Sequence, residues 1–223
     1  MQRLINLSMP NGSPQGCVWK LNWSCNLITF SLNSFIKICL LDTGGRISEI
    51  QKRLAGSGGY DFYKPVQRAV RMHCAGEKMK VDEILDGPVK DTERQYNRKA
   101  YEKFEAKFGN VKTLDAVNYS TSLKFPSAGF EISVDPLFEL TKAGVKQIYG
   151  IWPNQKPQLS QRYAAVACHV MRRANSTGPL ANGAFFFADI VSGNSYSEKQ
   201  ITNNTDLILM SDVNSIGSLL SGI

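Results

Sequence analysis

The stretch ISVDPLFELTKAGVKQIYGIWPN, Ile132–Asn154, decides the fold of this chain. Its apolar and polar residues alternate, and FEISV (130–134) and GVKQIYGIW (144–152) show the period of two that predicts strands. We expect these two strands to form a hairpin, with Lys142-Ala143-Gly144 as the turn. Acids and lysines lie within the same stretch, so it is either half of a metal-dependent active site or only the inside of a sheet.

The elements that follow predict a mixed sheet packed with helices. KPQLSQRYAAVACHVMRRAN (156–175) has a helical apolar period and opens with a proline. GAFFFADIVSG (183–193) is apolar at consecutive positions, as in a strand that is covered on both faces. TDLILM (205–210) reads as a shorter strand of the same kind, and SDVNSIGSLLSG (211–222) as a terminal helix. The fold class is therefore α+β, or mixed α/β, with helices first and the sheet after them.

The order strand, strand, helix, strand over residues 113–200 resembles the core of the PD-(D/E)XK nuclease-like families. That resemblance implies an acid on one strand, Glu-x-Lys on the next, and a Mg²⁺ or Mn²⁺ cofactor. The residues available for this alternative are Asp135, Glu139, Lys146 and Asp189. The sequence departs from the pattern, because its acid-x-Lys match, Glu105-Ala106-Lys107, lies in a predicted helix. Residues i and i+2 diverge by about 200° there, whereas in a strand they share a face.

The middle of the chain, residues 46–112, predicts a basic helical segment. It carries fifteen Lys and Arg against ten Asp and Glu, and the whole chain has a formal net charge of +7. In its clearest helix, 91–109, an aromatic stripe recurs every fourth residue: Tyr96, Ala100, Phe104 and Phe108. Helical spacing favours a core role for this stripe over a base-stacking platform. Basic side chains outside the stripe are predicted to bind nucleic acid: Arg68, Arg71, Arg94, Arg98, Lys99 and Lys103.

Residues 1–45 differ from the rest in being rich in Asn and Ser and poor in charge. We interpret them as a poorly ordered or atypical extension, which makes 113–223 the α/β sheet domain. Residues 25–41 offer an alternative, a membrane-tethered protein anchored by this segment. Five polar residues interrupt the apolar run, and a spanning helix needs about 20 predominantly apolar residues, so the sequence argues against it.

Five cysteines without a CxxC pair predict free thiols in a reducing, cytoplasmic protein. Two pairs, His73-Cys74 and Cys168-His169, would suit zinc if they met in space. Adjacent helical residues point about 100° apart, so buried free cysteine is the expectation and no metal site is assigned.

The leading interpretation is a non-catalytic binding or accessory module without a cofactor. Its partner would be nucleic acid or an acidic protein, bound through the basic helical segment. GxGxxG, Walker A, HExxH and GxSxG motifs are absent from the sequence, which removes the commonest catalytic templates. The nuclease and the membrane-tethered protein remain as alternatives.

Overall fold

A computed structural model describes residues 27–55 and 61–223. Within them, seven helices and two sheets confirm the α+β class. The helices are α1 (Leu32–Leu40), α2 (Thr43–Leu54), α3 (Lys64–Cys74), α4 (Met79–Asp86), α5 (Asp91–Phe108), α6 (Gln161–Ala174) and α7 (Asn203–Gly222). The strands are β1 (Ile28–Ser31), β2 (Asp115–Ala116), β3 (Thr121–Phe125), β4 (Phe130–Val134), β5 (Phe138–Lys142), β6 (Val145–Trp152), β7 (Ala184–Asp189) and β8 (Asn194–Ser197).

The strands form one sheet of three strands and one of five. The smaller sheet has the order β1-β4-β3, with β1 parallel and β3 antiparallel to β4. The larger sheet has the order β2-β5-β6-β7-β8. In it, β5 and β6 form an antiparallel hairpin, and β6 and β7 are parallel neighbours connected through α6. The crossover through α6 places a helix on one face of this sheet, as parallel neighbours require.

The predicted hairpin has a different first strand in the structure. Phe130–Val134 pairs in the three-stranded sheet, and β5 takes the place beside β6. The chain leaves β4 at Asp135-Pro136, where proline has no N–H to continue a ladder. The turn itself is confirmed, because Ala143 and Gly144 both have positive φ (50° and 75°), as a two-residue hairpin loop requires.

The C-terminal strand predicted at 205–210 is wrong, because these residues lie within α7. Buried residues recur there at helical spacing: Thr205, Leu209, Val213 and Ile216. Thr202 and Thr205 form a capping box, and the helix begins at Asn203, about two turns before the predicted start at Ser211. The last strand is instead β8, a polar segment that pairs antiparallel with the edge of β7.

The described part of the N-terminal segment belongs to the core, so the expectation of poor order is wrong for it. β1 pairs with β4, and α1 buries its apolar face, including Phe35 and Ile36. Ser31 caps α1 by accepting a hydrogen bond from the Ser34 amide at 3.2 Å. Residues 1–26 lie outside the described residues, and the three-part division of the chain stays a prediction.

Most apolar residues of the predicted membrane anchor at 25–41 that the structure describes are therefore buried inside the protein. From Ile28 onward this segment is a four-residue strand followed by a nine-residue helix. No helix of the described residues is both long enough and apolar enough to cross a membrane.

Two apolar clusters cover the two faces of the five-stranded sheet. On one face, α3, α4 and α5 pack with Val70, Phe104 and Phe108 against Phe138 and Tyr149. On the other face α6 lies between the two sheets, and its Val170 shares a cluster with Phe130 of the small sheet and Phe187 of the large one. The basic helical segment and the sheet thus share a core.

A buried ion pair joins the N-terminal helices to the C-terminal one. The Arg46 guanidinium at the start of α2 lies 3.0 Å from the Asp212 carboxylate in α7, and also donates to the Cys39 carbonyl at 2.7 Å. The Tyr163 hydroxyl of α6 donates to the other Asp212 oxygen at 3.1 Å. Burial, reinforced by Asp212, raises the pKa of Tyr163 to about 12. Four helices therefore meet at one carboxylate.

We predict that Phe35→Ala lowers the free energy of unfolding by about 3–5 kcal/mol, because the ring is fully buried. Leu207→Ala, at a side chain that is 69% exposed, is the control and should cost less than about 0.5 kcal/mol. Urea unfolding followed by circular dichroism measures both. Equal, small effects would show that α1 contributes nothing to the core.

We predict that Arg46→Met costs about 3–5 kcal/mol, because it leaves the Asp212 carboxylate buried without its cation. The matched control is Arg98→Met, which breaks two exposed ion pairs and should cost about 1 kcal/mol or less. The same unfolding experiment compares them, and a control that costs as much as Arg46→Met would contradict a special role for the buried pair.

Candidate nucleic-acid interface

Three of the six predicted binding residues are arginines that are neutralised within the protein. Arg71 donates to the Asp135 carboxylate at 2.9 Å. Arg98 reaches two acids of α4, Asp82 at 3.0 Å and Asp86 at 2.8 Å, and Arg94 pairs with Asp91 in its own helix turn. The acids of this segment thus remove part of the charge excess that suggested phosphate binding.

The positions of Arg94 and Arg98 on α5 explain why both form ion pairs with acidic side chains. Arg94 and Arg98 are one turn apart and occupy the side of α5 that packs beside α4. The hydrogen bonds that Arg98 donates to Asp86, and then to Asp82, raise the pKa of its guanidinium. A side chain held by two carboxylates is a poor phosphate ligand, because binding would first have to break these contacts.

The lysines of α5 have a different environment. Lys99, Lys103 and Lys107 follow one another at four-residue spacing and form what we call the lysine stripe. Lys103 donates to the Val191 carbonyl, and Lys107 donates to the Gly193 carbonyl at 2.6 Å. In the described part of the chain no carboxylate lies within ion-pair distance of any of the three ammonium groups. Their positive charges are therefore not neutralised by a carboxylate among the described residues.

The loop after β7 lies along the lysine stripe and positions two of its members, Lys103 and Lys107. Asp189 shapes this loop by accepting hydrogen bonds from the amides of Val191 at 3.0 Å and Ser192 at 3.1 Å. The loop carbonyls then accept from the lysines, and Ser195 also accepts from Lys107 at 2.7 Å. Burial lowers the pKa of Lys107, and Asp189 partly opposes that shift.

An aromatic group lies at the N-terminal end of the lysine stripe. Tyr96 is 40% exposed, whereas Ala100, Phe104 and Phe108 are buried. The predicted core role is thus confirmed for three positions of the aromatic stripe and is wrong for Tyr96. Tyr96 and Lys99 border a small cavity of about 90 Å³. Its other lining residues include Tyr63, Lys103, Pro153 and Gln155.

The remaining predicted residue, Arg68, lies on a separate surface between α3 and α4. This open groove has a volume of about 990 Å³. Both basic and acidic side chains line it, namely Lys64, Arg68 and Lys80 with Asp61, Glu83 and Glu93. Mixed signs give this groove little net attraction for a polyanion.

The structure does not bring the four residues of the nuclease alternative together. Glu139 pairs with Lys146 at 2.6 Å, while Asp135 pairs with Arg71, and Asp189 holds loop amides. Glu139 lies opposite Ile148 of β6 and Asp189 opposite Trp152. These positions are four residues apart on β6, about 13 Å. Among the described residues no group of three His, Cys, Asp or Glu side chains could hold a metal ion.

The element order that carries the nuclease resemblance is present in β5, β6, α6 and β7. The metal-binding motif that the resemblance implies is not present on the second strand of this order, because β6 carries no acid that would supply Glu-x-Lys. The expectation that Asp135, Glu139, Lys146 and Asp189 lie near one another is thus corrected. Ordinary structural partners account for all four side chains.

The two His-Cys pairs lie on opposite faces of the five-stranded sheet. His73 shares a hydrogen bond of 2.6 Å with the Tyr101 hydroxyl in the helical layer, and Cys74 belongs to the same cluster. Cys168 belongs to the cluster around α6, and His169 contacts Asp206. The sheet between them prevents the pairs from sharing one zinc ion.

Comparison with known proteins adds little. No family model and no curated protein matches this chain. A solved structure described as "Crystal structure of SSO0001" superposes over 84% of this chain and 75% of its own, with a TM-score of 0.35 and 8% sequence identity. A likeness at that level supports no inference about function.

Lys107 and Tyr96 were missed as candidate binding residues. The four-residue spacing of the lysines was visible in the sequence, and Tyr96 stands within the same arc of a helix. Which cations are neutralised depends on the contacts of α4 and of the loop after β7, and these appear only in the structure.

We predict that millimolar Mn²⁺ or Mg²⁺ shifts the melting temperature by less than about 1 °C, because the acids of the nuclease alternative do not converge. Differential scanning fluorimetry with EDTA as the reference measures the shift. A larger shift that Asp135→Asn or Glu139→Gln removes would restore the nuclease alternative.

Proposed function

We propose that this protein is a non-catalytic binding module that binds nucleic acid through the lysine stripe. The observation that supports the proposal is the contrast on α5: Lys99, Lys103 and Lys107 have no carboxylate partner among the described residues, whereas Arg94 and Arg98 do. Uncompensated ammonium groups in a row are what a chain of phosphates needs.

The expected recognition is electrostatic and weakly dependent on sequence. Lysine binds phosphate as a point charge and carries no information about bases. Two of the three lysines are already oriented by loop carbonyls, so less side-chain freedom is lost when phosphate binds. Contact with phosphates releases counterions, and the affinity therefore falls as salt rises.

A cytoplasmic location is part of this proposal. Cys39, Cys74 and Cys168 are free thiols in the described residues, which accords with a reducing compartment. Desolvation raises the pKa of Cys74 and Cys168 to about 12, so both are unreactive at neutral pH.

We predict that Lys99→Gln weakens binding to unrelated nucleic-acid sequences by a similar factor and reduces the slope of log K against log salt by about one. Lys99 suits this test because none of the contacts that fix the loop after β7 involves it. Anisotropy titrations of labelled DNA and RNA at several salt concentrations give both quantities.

The matched control is Lys124→Gln, which removes another exposed charge, from β3 in the other sheet. It should leave the affinity and the slope unchanged. Equal losses in the two variants would mean that net charge alone drives binding. No binding by the wild type at low salt would contradict the proposal and leave an acidic protein as the partner.

A further inference from the structure

We infer that the nucleic acid bound by the lysine stripe is single-stranded, with one base stacked on Tyr96 at the end of the stripe. This inference rests on the proposed function and adds a substrate class to it. Tyr96 and the three lysines fall within an arc of about 80° on α5 and extend over about 16 Å. One strand can therefore contact the ring and the ammonium groups together.

The ring of Tyr96 is positioned before anything binds. Phe62 packs against it with ring centroids 5.7 Å apart, and Phe62 in turn packs edge-on against Tyr63 at 5.0 Å. The Tyr63 hydroxyl accepts a hydrogen bond from the Gln155 amide at 3.4 Å, which connects this group to the loop after β6. A preorganised aromatic side chain loses little freedom when a base stacks on it.

Packing in the protein core does not account for the exposed position of Tyr96. Its neighbours along the aromatic stripe are buried under the five-stranded sheet, while 40% of Tyr96 faces solvent beside Lys99. Aromatic rings interleaved with cations are the combination by which proteins bind single strands without reading sequence. Tyr96 offers the ring, and the lysine stripe offers the cations.

The geometry favours an unpaired base over a duplex. In a duplex the bases are stacked on one another, so only phosphates would reach α5 and Tyr96 would have no role. The cavity of about 90 Å³ is smaller than a pocket that encloses a ligand, so the base lies on the ring and is not inserted. We therefore expect little preference among bases.

The test compares oligo(dT), oligo(rU) and a DNA hairpin duplex, each about 16 nucleotides long. Tyr96→Leu should weaken binding to the single strands about 5- to 140-fold, with the salt slope and duplex affinity unchanged. Tyr96→Phe keeps the ring and should retain the wild-type affinity. The comparison of oligo(dT) with oligo(rU) shows whether DNA or RNA is preferred.

The outcomes separate this inference from the proposed function. If Lys99→Gln weakens binding but Tyr96→Leu does not, or if Tyr96→Phe loses as much as Tyr96→Leu, stacking is wrong and the lysine stripe stands. Equal wild-type affinity for single strands and duplex also overturns the inference. Absence of any nucleic-acid binding overturns both. Melting curves of the variants must match the wild type, which the exposure of Tyr96 leads us to expect.

Discussion

Strand β6 is apolar on both faces, and the rest of the structure depends on covering both of them. Ile148 and Trp152 point to the cluster around α6, while Tyr149 and Ile151 point to the helical layer. Burying these side chains supplies the hydrophobic stabilisation that holds helices on each face of the sheet. The site follows from this constraint: α5 packs its aromatic residues inward, and its lysines remain on the outer side.

The same packing determines which lysines and arginines of α5 have a carboxylate partner. Helix α4 lies beside α5 and its acids neutralise Arg98, whereas the loop after β7 approaches from the other side and offers only carbonyl and hydroxyl oxygens to the lysines. Carbonyl contacts orient an ammonium group without cancelling its charge. A net charge of +7 is therefore less informative than the partners of each cation.

Much of the fold could be predicted from periodicity. Apolar patterns in the sequence indicated two of the helices and two of the strands. The helices are Asp91–Phe108 and Gln161–Ala174, and the strands are Val145–Trp152 and Ala184–Asp189. The failures have physical causes. A short apolar run such as 205–210 fits a strand and a helix equally well. The capping box of Thr202 and Thr205 starts a helix there, so the run lies within α7. The segment from Ile28 carries few charges because it lies in the core, a property that the sequence analysis took for disorder.

The residue types of the candidate site could be predicted from the sequence, but the contacts of the individual side chains could not. Lysines and arginines of the helical segment were recognised, but the sequence does not show that Asp82 and Asp86 reach Arg98 from another helix. The exposure of Tyr96 could not be predicted for the same reason, since four-residue spacing placed it with buried aromatics although it lies at the rim of the packed region. Contacts between residues far apart in the sequence determine both the ion pairs of Arg98 and the exposure of Tyr96.

The central claim is that α5 itself is the contact surface, and crosslinking tests it most directly. Ultraviolet irradiation of the full chain with bound oligo(dT), followed by proteolysis and mass spectrometry, identifies the peptides that carry nucleotide. The account predicts crosslinks within the peptide region from Tyr96 to Lys107. Crosslinks confined to the groove of Lys64 and Arg68, with none on α5, would contradict it.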